Sequence, residues 1–74
     1  MIELRFLEEL YSGRAIDAAV KAFEGFAKAE LRREPGVFIV ELTSTSEHDE
    51  TTIARELENY ALGATVEEGR AGSV

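Results

Sequence analysis

From Ile2 to Leu7 the chain alternates. Ile2, Leu4 and Phe6 share one face, with Glu3 and Arg5 on the other, and this period of two predicts a strand. Leu4, Leu7, Leu10 and Tyr11 also fit a helical stripe, but the strand is preferred because the next segment carries its own helix start. That start is Ser12, whose hydroxyl can accept an orphan backbone N–H. Asp17 follows early in the helix, where negative charge suits the dipole. Ile16, Ala19, Val20, Phe23 and then Phe26 or Ala27 recur at helical spacing, so the first helix is expected over about Gly13 to Phe26. Its small residues Ala15, Ala18, Ala19 and Ala22 suit close packing.

Alternation returns from Ala27. Ala27, Ala29 and Leu31 oppose Lys28, Glu30 and Arg32, and Pro35-Gly36 then predicts a type II turn, with proline presetting φ at the first central position and glycine permitting positive φ at the second. VFIVELT is strongly β-prone. Phe38, Val40 and Leu42 form one of its faces, Val37 and Ile39 the other, and a strand apolar on both faces belongs mid-sheet. Ser44 to Thr52 is polar and reads as a loop or helix entry, with Ser46 and Asp49 at capping-box spacing and Thr51 or Thr52 as other caps. Ile53, Leu57, Tyr60, Ala61 and Ala64 mark a second helical stripe, which Gly63 ends or weakens.

The order β-α-β-β-α therefore predicts an α+β fold. Its three-stranded antiparallel sheet has order 1-3-2, with both helices on one face. Residues 1–66 are expected to form a single domain and 67–74 a disordered tail. The helix stripe then docks on Phe38, Val40 and Leu42. The other sheet face, around Val37 and Ile39, becomes a candidate partner surface, since a bare apolar face on a small protein marks an interaction site. Tyr60 joins these two as a candidate interface residue, because tyrosine is enriched in interfaces; Tyr11 offers the same chemistry.

Size sharpens that expectation. A chain of 74 residues buries only roughly 60% of its unfolded surface and commonly gains stability from disulfides, metals or association. There is no cysteine, which excludes disulfide, zinc-thiolate and thiol chemistry and fits a reducing, cytoplasmic setting. Self-association as a homodimer, or a protein partner, is the remaining support. Fifteen acidic against eight basic residues give a net charge of −7, which disfavours direct nucleic-acid contact despite the nearby Lys28, Arg32 and Arg33. The N-terminal run lacks the basic and apolar regions of a signal peptide, and no apolar run approaches a membrane span.

Candidate chemistry is sparse. His48 lies within Glu47-His48-Asp49-Glu50, where imidazole and carboxylates are metal-ligand types, but adjacent loop residues seldom converge on one ion. The pairs Glu8-Glu9, Glu56-Glu58 and Glu67-Glu68 have no apolar pocket that would split their pKa values. The six glycines form no phosphate-cradling run. No catalytic residue, cofactor or metal is expected. A small non-enzymatic binding module is expected instead, with a ligand-binding domain using the 44–52 loop as an alternative.

The string YSGRAIDAAVKAFEGFA, the hairpin after it and ARELENYAL together resemble HxsD-like small proteins of His-Xaa-Ser peptide maturation systems. The corresponding residues are Tyr11, Ser12, Ala15, Ile16, Ala19, Glu56, Leu57, Asn59, Tyr60 and Leu62, across roughly residues 2–65. This resemblance implies an accessory role beside radical-SAM peptide-modifying enzymes, with no catalytic residue to transfer. The element order, with Arg55, Asn59 and Tyr60 in the last helix, also resembles the small dimerising subunit of the KEOPS tRNA-modification complex.

Overall fold

The computed structural model describes residues 1–72, with side chains described through Gly69. The chain forms β1 (Ile2–Leu7), α1 (Gly13–Ala22), β2 (Ala27–Glu34), β3 (Val37–Ser44) and α2 (Glu50–Gly72). The sheet has order β1-β3-β2, and both pairings are antiparallel. β3 is central, as its two apolar faces require. The Pro35-Gly36 turn joins β2 to β3, and Gly36 takes the positive φ of 79° that a type II turn needs at its second central position.

Register sorts the side chains. Phe6, Leu4 and Ile2 lie opposite Phe38, Val40 and Leu42, and Ala29 and Leu31 lie opposite Leu42 and Val40 on the other side. This face meets both helices, and one core cluster joins Leu4, Phe6, Phe38, Val40 and Leu42 to Ile16 and Ala19 of α1 and Ile53, Leu57 and Ala61 of α2. The helices pack on each other as well, and buried Ala15, Ala19, Ala54 and Ala61 permit a close approach. Gly13 serves the same end: a Cβ there would stand 3.0 Å from Phe38 Cζ.

Ser12 caps α1 as expected, accepting from Ala15 N–H at 3.1 Å. The helix stops at Ala22, a turn before the expected Phe26. Beyond it the backbone tightens, with Glu24 N–H donating to Lys21 O and Phe26 N–H to Phe23 O. This reversal delivers Ala27 into register with Ser44. Ala27, not Phe26, completes the buried stripe: Ala27 is 3% exposed and Phe26 is 45%. α2 begins later than a Ser46 cap would place it, and its first bond runs from Ile53 N–H to Asp49 O. Ser46 instead braces the preceding loop by accepting from His48 N–H.

The other end of α2 corrects the expected tail. Residues 67–72 continue the helix, while 73 and 74 lie outside the described residues. The added turns are held by α1. Ser12 Oγ donates to Glu68 Oε2 at 2.5 Å, and Ser12 N–H donates to Thr65 Oγ1 at 3.3 Å. A carboxylate from one helix thus sits at the positive N-terminus of the other, which favours both. No helix among the described residues is long and apolar enough to cross a membrane.

Candidate functional site

The surface expected to be bare is roofed by charge. On the sheet face away from the helices, Ile39 lies between Arg5 of β1 and Arg32 of β2. The Arg32 guanidinium reaches across the sheet, pairing with Glu41, with Glu34 at 3.3 Å and with Glu3 at 3.5 Å. Glu41 above all, then Glu34, raises its already high pKa. Long apolar stems beneath charged heads can cover a hydrophobic residue, and Ile39 is 0% exposed. Its own side chain is therefore not exposed in this chain. Val37 is half-buried at the start of β3, between Leu7 and Glu34. The basic trio is likewise matched with carboxylates: Lys28 with Glu30 at 3.8 Å, Arg32 as above, and Arg33 with Glu8. Arg33 also lies over the Phe38 ring, 5.7 Å from its centroid.

Tyr60 belongs to a different surface, which the sequence pattern did not assemble. Its ring meets Phe23 edge-on at 6.1 Å between centroids, Phe23 meets Phe26 at 6.5 Å, and Phe26 meets His48 edge-on at 5.5 Å. Four rings from α2, the end of α1, the following turn and the β3–α2 loop thus form a continuous series. Their backbones are pinned: Ala27 N–H donates to Phe23 O, and Thr45 N–H to Phe26 O. The loop is braced by Ser44 Oγ, which donates to His48 O at 2.8 Å. Ser44 N–H in turn donates to Glu50 Oε2 at 3.0 Å. The Met1 α-amino group, 2.9 Å from Glu50, and that Ser44 N–H hold the Glu50 carboxyl below its ordinary range.

Phe23, Phe26, His48, Thr52, Ile53 and Glu56 line a cleft of about 170 Å³. Phe26 and Tyr60 are 45% and 47% exposed. Glu56 supplies a carboxylate within the cleft, and Glu24, Glu47 and Asp49 flank its aromatic residues in the chain. A broader depression beside Tyr60 runs along Gly63, Ala64, Glu67 and Glu68. Tyr11 takes a structural position instead, edge-on to Phe6 at 4.9 Å. Of the carboxylate pairs, Glu8 holds Arg33 and Glu68 holds Ser12. Among the described residues no three histidine or carboxylate groups are placed to hold a metal ion.

The link from Phe26 to His48 was hidden because it depends on the turn after α1, which turns Phe26 outward. No family model, curated protein or solved structure is matched by this chain.

Proposed function

We propose that this chain is a small protein-binding module, without catalysis of its own, that docks a basic segment of a partner protein at the cleft between Phe23, Phe26, His48 and Glu56. One observation carries the reading: two large rings remain about half exposed within a fixed series of aromatic contacts. Exposed, clustered aromatics mark interaction surfaces and supply most of the binding energy where they occur. The chemistry selects the partner. Aromatic faces beside a carboxylate favour a cation on an apolar stem, as in lysine or arginine, and a net charge of −7 draws such a segment in. Size agrees, because small-molecule pockets usually enclose roughly 300–1,000 Å³, and this cleft fits one long side chain. An accessory role in peptide maturation is compatible where the enzyme or its peptide presents Lys or Arg, and so is a subunit role in a tRNA-modification complex.

The test is calorimetry with a synthetic amphipathic peptide of Leu and Arg, and with the same peptide carrying Glu in place of Arg. Saturable binding of the basic peptide alone is expected, weakened about tenfold or more by Phe26→Ser. Equal binding by wild type and Phe26→Ser, or no binding, overturns the reading.

A further inference from the structure

β2 is an edge strand of eight residues, with β3 on one side and no strand on the other among the described residues. An open edge of this length invites pairing, and proteins commonly guard it with charge. Here the charges alternate in sign along one face: Lys28, Glu30, Arg32 and Glu34. Such a pattern guards against most strands, but it is complementary to itself when the strand is reversed.

We infer that two copies of this chain pair antiparallel through β2 about a two-fold axis at Leu31, forming one six-stranded sheet. In that register Lys28 faces Glu34 of the second copy and Glu30 faces Arg32, each twice by symmetry. Leu31, still 36% exposed on the helix-side face, meets its own counterpart. Opposite charges facing each other across strands stabilise the pair, and like charges destabilise it. This discriminates among registers. An axis at Glu30 sets Glu30 on itself and Lys28 on Arg32; an axis at Arg32 sets Arg32 on itself and Glu30 on Glu34. An axis at Ala29 avoids these clashes but leaves both Arg32 and Glu34 beyond the paired segment. Within one chain Glu30 lies opposite Glu41 across the β2–β3 ladder, with Lys28 only at 3.8 Å. A cation from the free side would give Glu30 a second partner beside the loosely held Lys28. The surface is separate from the aromatic cleft, so the inference does not depend on the proposed function.

The experiment is sedimentation of the whole chain over a concentration series, with two single charge reversals at exposed positions. Wild type is expected to double its mass as concentration rises. Lys28→Glu and Glu34→Lys each place like charges in opposition twice, and each is expected to weaken association about tenfold or more. Mixed together, the two variants restore every opposite-charge pair and are expected to form a heterodimer that neither forms with itself. A wild type that stays monomeric at millimolar concentration overturns the inference. So does a dimer indifferent to both reversals, or a mixture that fails to associate. Circular dichroism of each variant separates loss of pairing from loss of fold.

Discussion

Replacing Ile39 by alanine tests how the second sheet face is built. The side chain is fully buried, yet it stands outside the cluster shared by the helices and sheet, between Arg5 and Arg32 of the neighbouring strands. Removing three carbons forfeits about 2.4 kcal/mol of transfer free energy, at ~0.8 kcal/mol per methylene. The cavity penalty should be small because flexible stems can settle into the space, which puts the cost near the low end of the roughly 2–5 kcal/mol range. Leu57→Ala is the contrast: Leu57 is equally buried, but helix and sheet enclose it, so a cost of about 4 kcal/mol is expected. An unfolding entropy of about 2.1 cal/mol/K per residue converts 1 kcal/mol into about 6 °C for 74 residues. Thermal unfolding followed by circular dichroism should therefore show Tm falling by about 15 °C for Ile39→Ala and about 25 °C for Leu57→Ala. Arg32→Met, which keeps the stem, should perturb Tm less than Arg32→Ala. A loss below about 1 kcal/mol for Ile39→Ala, or lost partner binding at unchanged stability, would refute the roofed arrangement and return Ile39 to a docking face.

Three further outcomes follow from named contacts. Gly13→Val should lower stability by about 1–3 kcal/mol, read from urea unfolding, because a Cβ at that position already crowds the Phe38 ring. Ser12→Ala should cost about 1 kcal/mol through the lost cap and speed amide exchange in the last turns of α2, since the same hydroxyl holds Glu68. The lowered pKa of Glu50 stabilises the fold above the ordinary glutamate range, and that contribution disappears as pH falls through the folded-state value. Urea midpoints across acid pH should consequently fall less steeply for Glu50→Gln than for wild type.

The elements that the sequence declares locally are the ones it places well. Ser12 is a cap because its hydroxyl lies three residues before the N–H it receives, and Pro35-Gly36 is a turn because each residue restricts or frees its own φ. β3 reads as central because Phe38, Val40 and Leu42 alternate with Val37 and Ile39. What remained hidden depends on distant partners. Glu68 lies 56 residues from Ser12, so no local pattern separates the end of α2 from a tail. Periodicity also says which face Ile39 occupies but not what covers it, since its cover depends on Arg32 spanning three strands. The aromatic series needed four separate segments to converge, and only Tyr60 among its members stood out in the sequence as a candidate interface residue.

The most direct test of the central claim is an amide-shift map of the isotopically labelled chain titrated with the Leu/Arg peptide. The account predicts saturable shifts centred on Phe23, Phe26, His48, Thr52, Glu56 and Tyr60, shrinking as salt is added. Shifts centred on Arg5, Val37 and Glu41, or spread over the whole chain without saturation, would contradict it.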